Sequence, residues 1–543
     1  MNGTYNPLPT RYERKMGDTE ISYFLPSRQT GVNDMYLHLG FRAADNFVAP
    51  ARVRAVWAIL RLRHPLLCAS VQMHDYDDIR FVYDAPVSPE DLLRDADANI
   101  EYRTQTKDEL IDSYLNGPRT LSNTRLSYLI LSTSLVHSNN AMPSPPPTPS
   151  PSAHEDAMEG GEKTLFGQAE NLLTYQHDLL ICAMHFLGDG MALHQFANDF
   201  FGLLGGPESD EQLIQRLSDE WSTRWPVTPQ DLLVLPSALE DNIPVKWSRL
   251  RRVVAAADFE MSQQRLIGGQ GFPRRKHPER RTVVPTIAFP EERTKAILKK
   301  CKENGVSISA ALFAICNFAW ARMGGGPAEL PSMMYSALNL RPYFTVKPIA
   351  PWNSYWFLAI GYFNVILPNF LPQAQGNLAN TFWHRARMAK EQSTQAAKSP
   401  LVVSRTHEMA RERSLRAQKW GKEDDEKEKG IWSPPTPPSE QDPRTPPREP
   451  VLPARVKAPS AALIGLSLLG NLDGIYKHQN FPGLELHTLT TGSRQRNGAM
   501  LLFGYTFKGK LWISLGYDEN GFSEGVVEKF WEEAVNCVDE FLG

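Results

Sequence analysis

The hydrophobic positions of the chain alternate between helical spacing and short apolar runs, which predicts helices and strands in succession. From 49 to 64, the sequence APARVRAVWAILRLRH places apolar residues three and four positions apart, as on one face of a helix. Pro65 ends this helix, and LLCASVQM follows as a strand. The apolar stretch 171–185 favours a strand, and apolar residues then recur at helical spacing from Leu193 to Leu204, where a Gly-Gly pair ends the helix.

The second half of the chain repeats this alternation. A helix is predicted from Pro290 to Asn304, and a more apolar one follows in GVSISAALFAICNFAWARM. Strands are predicted in MMYSALNLRPYF, FLAIGYFNVILP, LELHTLTT and AMLLFGYTFKGKLWISLGY, and EGVVEKFWEEAVNCVDEFL predicts a last amphipathic helix. The chain has no G-x-G-x-x-G and no P-loop, so we predict a mixed α/β protein that binds neither a dinucleotide nor a nucleoside triphosphate through those loops.

A chain of 543 residues is too long for one hydrophobic core, so we predict two domains. The first spans 1–235 and the second 285–543, and a linker at 236–284 turns polar and then basic. Two segments have too little apolar area to join a core and are predicted to be surface insertions. They are the Pro-, Ser- and acid-rich 138–164 and the charged, then Pro-rich 405–458.

Composition and charge restrict the partners. A formal net charge of -3 gives no electrostatic reason to expect nucleic acid or an anionic membrane surface, and favours a small neutral or weakly charged substrate. Five scattered cysteines without a C-x-x-C pair indicate a reducing compartment. The amino terminus is polar, and no run reaches the roughly 18 apolar residues of a membrane span. We expect a cytoplasmic monomer.

One loop combines residue types that suit acyl transfer. In HFLGDG, His185 stands four residues before Asp189, and Gly190 follows. Among 13 histidines this spacing is expected about once by chance, so its place between a predicted strand and a predicted helix matters more. In α/β folds, ligand chemistry gathers at the carboxyl ends of strands.

A neutral imidazole is a suitable base for this chemistry. Its pKa is ordinarily near about 6.5, so it can take the proton of a hydroxyl that attacks a thioester and return it to the leaving thiolate. An activated acyl group makes a protein nucleophile unnecessary, and the chain has no G-x-S-x-G motif. Two roles are open for Asp189: to orient the imidazole, or to point away and pair with an arginine that fixes the loop.

A metal site is a competing interpretation. His185, Asp189 and His194 include metal-ligating residue types, but their spacing lacks a second histidine at i+4 and any cysteine. We expect no metal, and we expect structural roles for His64, His177 and His194.

The segment MHFLGDGMALHQFANDFF resembles the H-x-x-x-D-G signature of the coenzyme A-dependent acyltransferase superfamily. This group includes plant acyltransferases of the BAHD type, alcohol acetyltransferases, fungal trichothecene O-acetyltransferases and condensation domains of nonribosomal peptide synthetases. The resemblance extends, in the family's order, to VWAILRLRHPLLCASV, EERTKAILKKCKENGVSISAALFAICNFAWAR, SALNLRPYF and GYFNVILP.

The resemblance implies an α/β fold of two chloramphenicol-acetyltransferase-like domains with an active-site tunnel between them. It implies that His185 is the catalytic base and Asp189 its structural acid. Gly190 matches the small residue that lets the loop turn tightly, and Arg341 matches the arginine that pairs with Asp189. We expect this pair to be bidentate and partly buried.

Departures from the family's sequence patterns indicate which branch of the superfamily the chain resembles most. LGYD at 515–518 lies where plant members have D-F-G-W-G, and GYFNV lacks the second glycine of the plant pattern. Met184 stands where condensation domains have a first histidine. These departures favour the fungal O-acetyltransferases and alcohol acetyltransferases, which use a diffusible acyl-CoA.

We therefore predict acetyl transfer from acetyl-CoA, as a co-substrate, to a hydroxyl of a terpenoid-like or other secondary metabolite, with no bound cofactor. The alternatives are amide or ester formation of the condensation type, long-chain acyl transfer, and ligand binding without turnover. Arg494 and Arg496 are candidate contacts of the coenzyme A phosphates. A second candidate is a basic cluster that has the charge run typical of a solvated linker: Arg274, Arg275, Lys276, Arg280 and Arg281.

Overall fold

A computed structural model describes residues 11–133, 175–225, 234–245, 248–344, 354–374, 377–434 and 458–543. The predicted insertion at 138–164 and the part of the second insertion from 435 to 457 lie outside the described residues. The strands are β1 (Arg11–Lys15), β2 (Met35–Ala43), β3 (Ser70–Met73), β4 (Ile79–Asp84), β5 (Ile100–Arg103), β6 (Ser127–Thr133), β7 (Tyr175–Ala183), β8 (Thr282–Val283), β9 (Thr286–Phe289), β10 (Ser332–Asn339), β11 (Ile360–Leu367), β12 (Ala462–Asn471), β13 (Leu484–Ser493), β14 (Met500–Phe507) and β15 (Lys510–Asp518). The helices are α1 (Asp18–Ser27), α2 (Pro50–Arg63), α3 (Pro89–Ala98), α4 (Lys107–Asn116), α5 (Gly190–Leu204), α6 (Asp210–Arg224), α7 (Leu239–Asn242), α8 (Arg249–Gln264), α9 (Glu291–Glu303), α10 (Ile308–Arg322), α11 (Leu378–Lys398), α12 (Val402–Glu428) and α13 (Val526–Leu542).

Two mixed sheets and one antiparallel sheet organise these elements. The first mixed sheet has the order β13-β2-β7-β6-β5, in which only β5 and β6 run parallel. The second has the order β11-β10-β12-β14-β15, with β8 and β9 paired to β15. A small antiparallel sheet has the order β1-β4-β3. The predicted mixed α/β class is confirmed.

Each large sheet has its own hydrophobic core. One core gathers the inner faces of β2, β6 and β7 with the buried faces of α2 and α5. The other surrounds α10, whose residues from Ala310 to Trp320 are all buried, as expected from its uniformly apolar sequence. The first core draws mainly on the first half of the chain and the second core on the second half, but the segment before β11 and parts of β13 and β14 also join the first core. β13 completes the sheet of the first half by pairing with β2.

Most predicted elements have their expected positions, and the differences concern the segment after Pro65, the linker and β12. The strand predicted after Pro65 begins with a short 3-10 turn, Pro65–Cys68, because the proline fixes the first helical angle there. The predicted linker contains α8, which packs on α12. β12 was not predicted, although it lies between β10 and β14 in the second sheet.

The segment from 405 to 428 is not a surface insertion, and that part of the prediction is wrong. It forms most of α12, which packs along α1. Apart from Glu408, its buried positions are small residues three and four positions apart, and a composition dominated by charge hides this stripe. They are Ala410, Ser414, Ala417 and Gly421.

Within the described ranges, no single helix is long and apolar enough to cross a membrane. The helices α9 and α10 reach the required length and hydropathy only as a pair, and they meet at an angle of 91°.

Candidate active site

His185 stands where the central strand of the first sheet ends. β7 stops at Ala183, and a single 3-10 turn, His185–Leu187, carries the chain to the start of α5. Phe186 and Leu187 point into the core and are buried, while the imidazole is partly exposed. The buried neighbours therefore fix the loop and leave the imidazole at its surface.

A backbone carbonyl sets the tautomer of His185. Its Nδ1 atom lies 3.1 Å from the carbonyl oxygen of Gly188. Because a carbonyl oxygen only accepts hydrogen bonds, Nδ1 carries the hydrogen and Nε2 keeps its lone pair. No residue in the described part of the chain hydrogen-bonds Nε2, so this atom is free to accept a proton.

Burial lowers the pKa of His185, and the charge of Arg413 acts in the same direction. The carboxylate of Asp189 raises this pKa, with a smaller effect than burial. The imidazole is therefore neutral near pH 7, which is the form that a general base requires.

Asp189 braces the loop and does not contact the imidazole. It is 2% exposed and caps α5, because its Oδ1 atom accepts the backbone N–H groups of Met191 (3.1 Å) and Ala192 (3.2 Å). Its Oδ2 atom accepts the N–H of Ala359 at 2.9 Å. Of the two roles open for Asp189, the structure shows the one that points away from His185.

Arg341 meets Asp189 as predicted, but through a different geometry. Its Nη1 atom alone contacts both carboxylate oxygens, at 3.0 and 2.9 Å. Its Nη2 atom donates instead to the carbonyl of Phe357 at 3.0 Å, and the guanidinium lies 4.9 Å from the centre of the Phe357 ring. The expected bidentate fork is thus wrong, because Arg341 divides its donors between the His185 loop and the segment before β11.

Gly190 is small for a different reason than expected. Its backbone has no left-handed conformation, and a Cβ atom there would lie 2.9 Å from the Cδ2 atom of Leu469. The position therefore provides room for β12 of the second sheet to approach α5.

Arg494 has a structural environment that conflicts with the predicted phosphate contact. It is 4% exposed, and its Nε atom donates to the carbonyl of Tyr114 at 3.0 Å. Its Nη2 atom donates to the carbonyl of Gly117 at 3.1 Å, so the guanidinium secures the end of α4. Arg496, two residues later, is exposed.

Within the basic cluster of the linker, only Arg280 is partly buried. Arg280 donates to the carbonyl of Thr30 at 2.8 Å, and Arg281 pairs with Glu519 at 3.1 Å. Arg281 is nevertheless exposed, as are the other three members: Arg274, Arg275 and Lys276.

The three histidines that are expected to be structural, His64, His177 and His194, lie inside the protein. Burial lowers the pKa of His64 and of His194 to about 3. The Nδ1 atom of each of the three contacts a hydroxyl: Ser354 for His64 (3.0 Å), Thr133 for His177 (3.0 Å) and Tyr476 for His194 (2.9 Å). In the described part of the chain, no group of three or more His, Cys, Asp or Glu side chains is arranged to hold a metal ion.

Three residues that the sequence did not indicate form a cluster that reaches the imidazole through Tyr23. The ring of Tyr23, in α1, lies 4.5 Å from the His185 ring, centre to centre, and the Tyr23 hydroxyl hydrogen-bonds that of Tyr362 in β11. The guanidinium of Arg413, in α12, lies over both phenol rings, 5.2 Å from Tyr23 and 4.5 Å from Tyr362. Only the spacing of small residues in α12 could have indicated this contact from the sequence.

Comparison with known proteins gives matches in structure alone. No protein-family model matches the chain, and no curated protein matches its sequence. The structure is similar to TRI3 trichothecene 15-O-acetyltransferase from Fusarium sporotrichioides, at 13% identity and a TM-score of 0.67, over 98% of this chain and 95% of that one.

Two further solved structures share the architecture. The epimerization domain from the third module of tyrocidine synthetase B is 12% identical, with a TM-score of 0.55 over 98% of both chains. The condensation domain from the monacolin K polyketide synthase MokA is 9% identical, with a TM-score of 0.53 over 98% of this chain and 97% of that one. The protein therefore has the two-lobed α/β fold that coenzyme A-dependent acyltransferases share with condensation domains.

Proposed function

We propose that this protein is an acyl-CoA-dependent O-acyltransferase in which His185 is the general base. The observation that carries the proposal is the hydrogen bond from Nδ1 to the Gly188 carbonyl, which leaves Nε2 unprotonated at the surface of the loop. The fold, shared with an O-acetyltransferase, supports the same class of reaction.

The proposed reaction has two proton transfers. The hydroxyl oxygen of the acceptor attacks the thioester carbonyl carbon while Nε2 of His185 takes the hydroxyl proton. The tetrahedral intermediate then breaks its carbon–sulfur bond, and the departing thiolate takes the proton back from the imidazolium. The products are an ester and free coenzyme A, and the imidazole is neutral again.

Asp189 and Arg341 act on this reaction through position. Together they attach the His185 loop to α5 and to the segment before β11 through charged hydrogen bonds. A loop held in this way keeps Nε2 at a fixed distance from the substrate, which is the main contribution that a rigid scaffold makes to proton transfer.

Arg496 remains the proposed contact of the coenzyme A phosphates. It is exposed. Burial raises the pKa of Tyr335, and the charge of Arg496 opposes this rise, so the two side chains are near each other. The Tyr335 ring lies 6.2 Å from that of Tyr362. Tyr362 in turn contacts Tyr23 beside His185. A pantetheine arm between a phosphate at Arg496 and a thioester at His185 would follow this row of rings.

The acceptor that we propose is a hydroxyl of a secondary metabolite, and the acyl group is acetyl. TRI3 is described as a trichothecene 15-O-acetyltransferase, which is a reaction of this type. The departures from the plant and condensation-domain patterns support the same branch.

The test is thiol release from acetyl-CoA over a panel of alcohols, with wild type and His185→Ala. We expect the variant to lose roughly 10² to 10⁴ of the rate, which is the usual contribution of a general base. His384→Ala is a matched control, because His384 is exposed on α11. An unchanged rate in His185→Ala would overturn the proposal.

A further inference from the structure

Arg413 differs from the other arginines of α12. Arg405 pairs with Asp258 at 2.7 Å, Arg411 with Glu408 at 2.8 Å, and Arg416 with Glu412 at 3.4 Å. Arg413 forms no ion pair with any residue that the structure describes, and the groups that act on its charge are the phenols of Tyr23 and Tyr362.

The packing of α12 brings this unpaired charge into the protein. Ala410, Ala417 and Gly421 are small and buried, so α12 lies close against α1. Arg28 at the end of α1 holds the far end of α12 through two contacts of 2.9 Å to Asp425. Arg413 therefore lies at a fixed position beside Tyr23.

The cluster of Arg413, Tyr23 and Tyr362 has more donors than acceptors. A guanidinium offers five N–H groups, and each phenol adds one O–H, while the phenol oxygens are the only acceptors among these side chains. Because the two hydroxyls bond each other, one O–H remains free. Burial raises the pKa of Tyr23 well above its ordinary value, so this phenol is protonated and a donor. Such a cluster is complementary to an anion.

The cluster is also next to the reacting centre. The Tyr23 ring packs against that of His185, with the ring centres 4.5 Å apart and the planes tilted by 33°, and the Arg413 guanidinium lies over the same Tyr23 ring. The phosphates of coenzyme A are separated from the thioester by the whole pantetheine arm, so they cannot be the anion that reaches Arg413 during the reaction. The anion must be carried close to the acyl carbon or to the acceptor hydroxyl.

We propose that Arg413, with the hydroxyls of Tyr23 and Tyr362, binds a carboxylate of the substrate only a few bonds from the reacting atoms. The carboxylate belongs either to a hydroxy acid as acceptor, with acetyl as the acyl group, or to a dicarboxylic acyl group that takes the place of the proposed acetyl. This inference rests on the proposed function for the role of His185, and adds the chemical class of the substrate. A guanidinium favours a carboxylate because its planar donors match two oxygens.

A binding experiment tests the carboxylate site without turnover. Saturation-transfer NMR compares glutarate with 1,5-pentanediol, which has the same chain length and no charge. We expect a signal from glutarate with wild type and with Arg416→Gln, an exposed arginine one turn further along α12, and loss of this signal in Arg413→Gln. Equal glutarate signals for Arg413→Gln and wild type, or equal signals for the diol and glutarate with wild type, would overturn the proposal.

A kinetic experiment identifies which substrate carries the carboxylate. One arm compares succinyl-CoA with acetyl-CoA as donor, and the other compares 4-hydroxybutyrate with 1-butanol as acceptor. We expect Arg413→Gln to reduce kcat/KM at least tenfold in one arm, for the charged substrate only. An equal loss for charged and neutral substrates would indicate a structural role and overturn the proposal.

Arg413→Lys keeps the experiment informative where the glutamine variant unfolds. Lysine preserves the charge and loses the planar fork, so we expect weakened glutarate binding with an unchanged melting temperature. Full glutarate binding by Arg413→Lys together with full binding by a folded Arg413→Gln would contradict the site. If wild type binds glutarate but releases no thiol from any donor, the proposed acyl transfer fails and the carboxylate site stands.

Discussion

At the scale of single residues, the protonation of His185 predicts the pH dependence of the reaction. Only the neutral imidazole accepts a proton, so kcat/KM rises with pH as His185 loses its proton and then levels off. Burial lowers the pKa of His185 from its ordinary value of 6.5, so the midpoint of this rise is expected below 6.5. A pH profile of thiol release checks this, and a midpoint above 6.5 would contradict the buried environment of the imidazole.

The Asp189–Arg341 pair predicts that removing the charge of Asp189 lowers the free energy of unfolding. Asp189→Asn keeps a side chain that caps α5 and removes the charge that faces Arg341. Breaking a buried pair costs about 3–5 kcal/mol, and we expect the lower end because the Arg341 side chain is 22% exposed. Urea unfolding measures the free energy of unfolding.

Asp108→Asn is the control for this substitution. Asp108 lies in the first turn of α4 and is exposed, so its change is expected to stay within about 0.5 kcal/mol. Equal changes in the free energy of unfolding for the two substitutions would show that the Asp189–Arg341 pair does not stabilise the loop.

The residues of the site differ in how well the sequence predicts them. His185, Asp189 and Arg341 belong to short motifs at the ends of strands, and the structure brings the last two together. The positive charge of Arg494 suggested a phosphate contact. Its guanidinium instead donates to a carbonyl of α4, which lies 380 residues away in the sequence. Charge alone cannot show whether a guanidinium faces solvent or a buried carbonyl.

At the scale of secondary-structure elements, the stripe of small residues on α12 predicts which substitutions this helix tolerates. Ala417→Leu adds three carbons between α12 and α1, and overpacking of this kind typically costs about 1–3 kcal/mol. We also expect lower turnover of the carboxylate-bearing substrate, because the change displaces Arg413 from Tyr23. Lys419→Leu, on the exposed face of α12, is the control and should change the free energy of unfolding by less than about 0.5 kcal/mol. Equal destabilisation by both would contradict the packing of α12 on α1.

Helices with a clear run or spacing of apolar residues were predictable from the sequence, and helices without one were not. α2, α5, α10 and α13 follow apolar residues at helical spacing, and the structure has them within three residues of the predicted bounds. α12 buries alanine, serine and glycine, whose contribution to a hydrophobic pattern is small. Its role as a wall of the site depends on the close approach of α1, which is a property of the folded protein.

At the scale of the whole molecule, β13 makes the two halves dependent on each other. Without β13, β2 would become an unpaired edge strand of the first sheet. We therefore expect residues 1–284 and 285–543 to be insoluble when each is expressed alone, and soluble as a complex when they are expressed together. Gel filtration of the co-expressed pieces checks this, and a soluble, folded fragment 1–284 would contradict the dependence.

The pairing of β13 with β2 also determines when the protein can fold during synthesis. Thr491, in β13, donates its hydroxyl proton to the Tyr36 carbonyl of β2, 455 residues earlier in the sequence. The first sheet, and with it the support of the His185 loop, is therefore incomplete until β13 has left the ribosome. Contacts of such long range slow folding, and an edge strand left open meanwhile is prone to aggregation. We therefore expect β2 of a nascent chain to need shielding from aggregation until β13 has been synthesised.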